Sequence, residues 1–318
     1  MHLRDQLRAK ELLQKLYRTG KIPSSLLLHG PEGVGKTVAA LDFGRGLLCR
    51  EGKVWGCGGC ASCRRFDRIR DAILSGSWED ISLREEQSGK SVFLYLMGDH
   101  PDFIFVPPSG QSIRVDQIRA LRAFVEAKPA LSPRKVAVID SAHLMTRESA
   151  NALLKTLEEP PLNTHLILTA LSEGSLLPTI LSRVHPVALQ PLEEKTLLEL
   201  LPEAEEEVRK LSKGSYTRAR LLEEHRNLVR SAEEFTGGDP LRIYEIALQI
   251  DRMEPGERIL FTEILEDKLM ALFEAGKLGY DKLEMLSEKL SELREGIPRG
   301  VRTSLALLAL SILMEEKL

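Results

Sequence analysis

The chain has 318 residues, 43% hydrophobic and 29% charged, and its 44 basic and 47 acidic side chains leave a formal net charge of −3. That composition excludes disordered and fibrous classes, and the balance of charge excludes wholesale electrostatic binding to nucleic acid, leaving only local patches. No apolar run reaches the roughly 18 to 20 residues of a membrane helix. The best, Leu305 to Met314, lies between Arg302 and Glu315, and Arg4, Asp5, Arg8, Lys10 and Glu11 stand where a signal peptide needs an apolar stretch. A cytoplasmic protein of two or three domains, with no membrane partner, is expected.

Leu3 to Leu16 carries leucines near helical spacing and stops at Gly20. Leu26-Leu27-Leu28-His29 reads as a buried strand, followed by a glycine loop and a helix from Thr37 to Leu48. Residues 71–97 hold Gly76, Trp78 and a polar patch through Gly89, and read as an insertion with no assignable structure. Phe103 to Val106 is a strand closed by Pro107-Pro108, and Gln117 to Ala127 is a helix. Lys135 to Ile139 is the clearest strand, ending at Asp140; a helix over Ser149 to Glu158 stops at Pro160-Pro161, before a strand at Leu166 to Thr169. Strands alternating with helices over residues 1–187 predict a parallel α/β sheet flanked by helices. After Pro191 strands cease: 188–235 reads as a small helical domain, Gly237-Gly238-Asp239-Pro240 as a linker, and 236–318 as four or five further helices.

Gly30-Pro31-Glu32-Gly33-Val34-Gly35-Lys36-Thr37 fits G-x-x-x-x-G-K-[ST] between a strand and a helix, the context in which backbone N–H groups cradle phosphate. Lys36 would neutralise the β and γ charge of ATP and the Thr37 hydroxyl would reach Mg²⁺. Asp140, at a strand end, is placed to organise the Mg²⁺ shell. The next residue, Ser141, cannot act as a general base at neutral pH without activation, which points to nucleotide binding with weak or no turnover. Glu148 and Glu158 read as solvated helix residues.

All four cysteines, Cys49, Cys57, Cys60 and Cys63, fall in one window with Gly56, Gly58 and Gly59 for tight bends. Clustered thiols in an intracellular chain hold metal, and four with no spare ligand suit a closed structural zinc site, with an iron–sulfur cluster as the alternative. Three more residues carry a bland reading beside a functional one. Arg183 is a surface charge or a donor to a neighbour's γ-phosphate, Arg218 an ion-pair partner or a phosphate contact, and Thr169 a strand residue or a γ-phosphate sensor. The apolar helix Val301 to Met314 is a core helix or an assembly surface.

Lys21 to Thr37, the four cysteines, Gly98-Asp-His-Pro-Asp102, Ala150-Asn-Ala-Leu-Leu-Lys-Thr-Leu-Glu-Glu-Pro-Pro161 and Leu177-Pro-Thr-Ile-Leu-Ser-Arg183 together resemble the sliding-clamp loader subunits of bacterial DNA polymerase III, and among them the delta-prime type. The resemblance spans residues 21–220; the last third matches only in being helical. It implies an AAA+ module over 1–187, a helical lid over 188–235 and a collar over 236–318 that joins a five-membered ring with delta and the gamma/tau motors. That ring places a sliding clamp on primed DNA with ATP. By the same resemblance Thr169 is a sensor, Arg218 the lid arginine, Arg183 a finger offered in trans, and the cysteines a zinc module. Ser141, where motor subunits carry glutamate, favours a stator over a gamma/tau-like motor ATPase. Val184 stands where cysteine is usual, and the segment from Cys63 to Gly98 is longer than the family's. A small-molecule P-loop kinase would need an arginine-rich substrate lid, which 192–232 does not offer.

Overall fold

A computed structural model describes residues 4–87 and 90–315. The chain divides into two compact units, residues 1–196 and 197–318. In the first, the order is α1 (Leu7–Arg18), β1 (Ser25–His29), α2 (Lys36–Leu48), α3 (Ala61–Ser75), β2 (Ser82–Gln87), β3 (Lys90–Leu96), β4 (Phe103–Val106), α4 (Val115–Glu126), β5 (Lys135–Ile139), α5 (Arg147–Glu158), β6 (Thr164–Ala170), α6 (Pro178–Leu181) and β7 (His185–Ala188). Helix α7 (Glu194–Leu200) spans the division between the units. Of the helix expected from Leu3, α1 is found; Leu3 itself lies outside the described residues.

The sheet runs β2-β3-β4-β5-β6-β1-β7. From β4 to β7 all pairs are parallel, as expected, and the β2–β3 hairpin adds two antiparallel strands at one edge. Strand β7 is the element the sequence does not announce, since His185-Pro-Val-Ala has only Val187 buried. Alternation along each strand sorts the core into two layers. Leu26, Leu28, Val136, Val138 and Ile167 pack with α1, α2 and α3 on one face. Leu27, Ala137, Ile139, Leu166 and Leu168 pack with α4 and α5 on the other. Strands covered on both faces must be apolar throughout, which is why β1, β5 and β6 stand out in the sequence. Each such leucine, isoleucine or valine contributes about 1.5–3 kcal/mol by leaving water.

The insertion resolves into three pieces: the last turn of α3, closed by Gly76 in a left-handed conformation (φ 76°), a turn through Trp78, and the hairpin. Trp78 donates its indole N–H to the Ile73 carbonyl at 3.3 Å. Residues 88 and 89 lie outside the described residues.

The loop before β4 is fixed by a fully buried pair, His100 and Asp102. The Asp102 carboxylate accepts backbone N–H bonds from Ala130, Leu131 and Ser132, each at 2.7 Å, and so ties the start of β4 to the approach to β5. Burial pushes the His100 imidazole from 6.5 down to about 4. An unfolded chain takes up that proton near pH 6.5, whereas the folded chain resists it to about pH 4. The group therefore stabilises the fold above pH 6.5, and by pH 4 about 3 kcal/mol of that contribution is lost. Urea unfolding at pH 7 and at pH 4 is expected to show a smaller acid loss in His100→Asn than in the parent. Equal pH slopes would contradict this.

The second unit holds α8 (Glu206–Leu211), α9 (Tyr216–Glu224), α10 (Arg226–Gly237), α11 (Pro240–Asp251), α12 (Pro255–Glu274), α13 (Tyr280–Gly296) and α14 (Thr303–Glu315). One apolar core, centred on Leu228, Phe235, Phe261, Ile264, Leu286 and Leu307, is shared by all of them. The linker prolines and acids become helix starts: Asp239 accepts the N–H groups of Leu241 and Arg242, with Pro240 at the first helical position. Along α14, Leu307 and Leu310 are buried while Leu305 and Ile312 are about three-fifths exposed.

Candidate nucleotide site and metal centre

Parallel register brings three separate stretches to one edge of the sheet. Leu28 of β1 lies opposite Thr169 of β6, and Leu168 lies opposite Ile139 of β5, so the phosphate loop, Thr169 and Asp140 emerge side by side at the carboxyl ends of adjacent strands. The Thr37 hydroxyl donates to Asp140 Oδ1 at 2.7 Å, and the Thr169 hydroxyl donates to the same oxygen at 3.0 Å. Thr169 Oγ1 in turn accepts the Ser141 N–H at 2.8 Å.

The loop is built for close approach. Gly33 and Gly35 hold left-handed φ of 72° and 95°, and Gly30 has φ 153° with a Cβ position only 2.3 Å from the Leu189 carbonyl oxygen. Only glycine fits Gly30 without shifting the backbone at Leu189, just beyond β7. Pro31 and Glu32 are exposed, and Val34 is buried beneath the loop. The Lys36 ammonium donates to the carbonyls of Gly30 and Pro31, at 2.8 Å for Gly30. Burial lowers its pKa, while Asp140 and Glu32 pull it back up. The helix N-terminus, the open glycine positions and a cation aimed into the loop are the donor set a triphosphate requires, and the Thr37–Asp140 pair is the donor set for its Mg²⁺.

Ser141 occupies the left-handed region at φ 54°, ψ 48°, and its hydroxyl is 3.4 Å from Asp140 Oδ2. Of the two acids that the sequence offers as alternative bases, Glu158 is ion-paired with Arg183 and Glu148 is exposed on the first turn of α5. The sequence reading missed His143. Its Nδ1 is buried with no hydrogen-bond partner among the described residues, and burial and then Lys36 lower its pKa. Its position three residues after Asp140 was the one available signal.

Arg183 lies just beyond α6. Its guanidinium meets Glu158 at 2.6 Å and donates to the Thr179 carbonyl at 2.8 Å. Arg218, on α9 of the second unit, is paired there with Asp267 and Glu263 and donates to the Leu211 carbonyl.

The four thiols converge. Cys49 follows α2 and Cys63 lies in the first turn of α3, both buried, while Cys57 and Cys60 come from the loop between. Their sulfurs all lie within 4.8 Å of one another. Tetrahedral metal–sulfur bonds of about 2.3 Å imply sulfur pairs about 3.8 Å apart, and Cys57 and Cys63 are separated by 3.9 Å. Cys57 Sγ accepts the Cys60 N–H at 3.3 Å, and Cys60 Sγ accepts the Cys63 N–H at 3.4 Å. The N–H groups of Cys60 and Gly59 bring the Cys57 thiol down to about 6, whereas burial pushes Cys63 up to about 12. A buried thiol among others is a site whose charge a cation would balance, so these residues could bind a metal ion. Gly56 and Gly58 make the bends, at φ 79° and 74°.

The protein family described as "DNA polymerase III, delta subunit" matches residues 5–72 and 77–193, over half of the chain. The chain belongs to the delta-prime family of clamp-loader subunits. A delta' subunit from Bacillus subtilis is 28% identical over 302 residues, 92% of this chain and 78% of that one. Another from Pseudomonas aeruginosa is 36% identical over 160 residues, 49% of this chain and 40% of that one. A tau/gamma subunit from Haemophilus influenzae is 30% identical, spanning 56% of this chain and 22% of its own length. At 92% of this chain the Bacillus subtilis likeness includes much of the helical unit, whereas the tau/gamma likeness covers little more than half of the chain. In fold, a Thermotoga maritima DNA polymerase III gamma subunit-related protein superposes with a TM-score of 0.52 at 17% identity, covering 95% of this chain and 98% of that one. The architecture is that of an AAA+ P-loop module followed by helices, and the chain is a delta-prime-like member of the DNA polymerase III clamp-loader complex. Among the described residues no helix is long and apolar enough to cross a membrane.

Proposed function

We propose that this chain is a stator of a five-membered clamp-loading ring in the cytoplasm, which holds ATP without turning it over efficiently and presents Arg183 to the nucleotide of an adjacent gamma/tau motor. The observation that carries this reading is Ser141, a serine directly after the Mg²⁺-side carboxylate Asp140, while Glu158 is taken up by Arg183. The backbone of Gly30 to Gly35 and the Lys36 ammonium would take the phosphates, with Thr37, Asp140 and Thr169 on the Mg²⁺ and γ-phosphate side. Bound Mg²⁺ would supply charge neutralisation across the β and γ oxygens. The cysteine cradle would hold zinc as a structural ion, Arg218 would serve the lid, and the exposed Leu305 and Ile312 of α14 would pack against neighbouring collars. Contact with primed DNA would run through phosphates and weaken with salt.

The complete phosphate loop supports a second reading, a gamma/tau-like motor. Both readings meet in one experiment on the purified chain with labelled ATP and Mg²⁺, following binding and phosphate release beside Lys36→Ala. The stator reading expects binding that falls at least ~100-fold in Lys36→Ala, the size of about 3 kcal/mol of lost charge-assisted contact, with release at background in both. Release that depends on Lys36 would establish the motor instead, and absence of binding in the parent chain would reject nucleotide holding altogether.

A further inference from the structure

We propose that Ser62 and His100 form a positioning relay that sets the spacing of the two buried thiols, Cys49 and Cys63, before metal arrives; the proposal rests on the metal reading of the cysteine cradle. Leu48 ends α2 and directly precedes Cys49, so its carbonyl is one of those a helix terminus leaves without an internal partner. Ser62 directly precedes Cys63 and is fully buried. Its hydroxyl donates to the Leu48 carbonyl at 2.8 Å. That single bond joins the chain one residue before the first thiol to the chain one residue before the last.

A serine hydroxyl has one proton, and the geometry around it dictates where the proton goes. His100 Nδ1 accepts the Asp102 N–H at 3.1 Å, which leaves Nε2 as the protonated nitrogen. Nε2 faces Ser62 Oγ at 2.9 Å and Ser132 Oγ at 3.3 Å. Ser62 thus receives from the imidazole and must donate onward to Leu48. Asp102, held by three backbone N–H groups, fixes the loop that carries His100. The relay links the loop before β4 to the cradle without touching a sulfur, as outer partners do in sites where ligand geometry is set in advance. Ser132 shares the imidazole and lies 2.9 Å from Ser62 Oγ, but it has no hydrogen bond to Leu48 and serves as an internal control.

The test uses the full chain, reduced and stripped of metal. Cobalt(II) is titrated through its thiolate charge-transfer absorbance, and zinc affinity is then measured by competition with a chromophoric chelator. Ser62→Ala and His100→Asn are expected to weaken zinc binding about tenfold or more, and to lower charge-transfer intensity per bound cobalt as a displaced thiolate gives way to water. Ser132→Ala is expected to stay within about twofold of the parent. Melting of each metal-free variant separates loss of stability from loss of affinity, and Ser62→Ala decides the matter if His100→Asn fails to fold. Equal zinc affinity in parent and Ser62→Ala, or an equal loss in Ser132→Ala, would overturn the relay and leave the cradle. A parent that takes up neither ion would overturn both.

Discussion

Arg183→Ala is expected to slow hydrolysis at the neighbouring motor site of a reconstituted assembly by ~10³-fold, the lower end of what a finger arginine supplies. The readout is loss of that site's share of ATP turnover and of clamp loading, with the assembly still intact by size. The physical case lies in how the guanidinium is held. Glu158 at 2.6 Å and the Thr179 carbonyl at 2.8 Å fix its plane, yet the arginine side chain is about a third exposed and Glu158 about half. An ion pair so open to water is worth about 0–1 kcal/mol. A triphosphate, with more charge and a matching planar geometry, outbids it easily. Glu158→Gln should therefore leave turnover within a few-fold, because it loosens the arginine without removing it. Unchanged hydrolysis in Arg183→Ala would reject the finger.

Stripping the cysteine cradle with a chelator, or replacing Cys63 by serine, is expected to lower the melting midpoint of the first unit by about 10 °C. A structural ion present at about a thousand times its dissociation constant stabilises by about 4 kcal/mol, and each kcal/mol moves a domain of this size by roughly 2–4 °C. Cys63 is buried, so demetallated thiols would also leave α2 and α3 joined only through side-chain and core contacts. Metal analysis beside the melt identifies the ion: a colourless zinc protein supports the structural site, whereas a brown iron–sulfur chromophore replaces it. A midpoint indifferent to chelation would remove the structural role.

Much of this was legible because burial on both faces leaves a strong mark. Strands β1, β5 and β6 are apolar runs ended by His29, Asp140 and the Thr169 region, and the phosphate loop announces itself by its glycines. The hairpin of β2 and β3 was not legible, since Ser-Leu-Arg-Glu-Glu-Gln is an edge strand, and an edge strand need not be apolar on either face. The start of the helical region, expected only as amphipathic and free of strands, contains α7 and α8 with Pro202 between them. In the site, Asp140 and Thr169 meet Thr37 of α2 as their positions at strand ends implied. His100 stands in the Gly98 to Asp102 stretch that carries the resemblance, but a buried histidine has no spacing rule that names its partner, and Ser62 has no motif of its own. The sequence near them reads only as polar residues beside cysteines and prolines.

The left-handed backbone at Ser141 constrains what a substitution at this turn can do. A Ser141→Glu exchange would place a carboxylate directly after Asp140, on a backbone with φ 54° and ψ 48° where any L-residue, serine included, incurs about 1 kcal/mol or more. The Ser141 N–H is committed to Thr169 Oγ1, which is committed to Asp140, so relaxing the turn disturbs the Mg²⁺-side carboxylate it would need. On the stator reading, Ser141→Glu alone is therefore expected to leave phosphate release by the purified chain at background. On that reading, a working base at position 141 would need the turn and its two hydroxyl contacts to change with it.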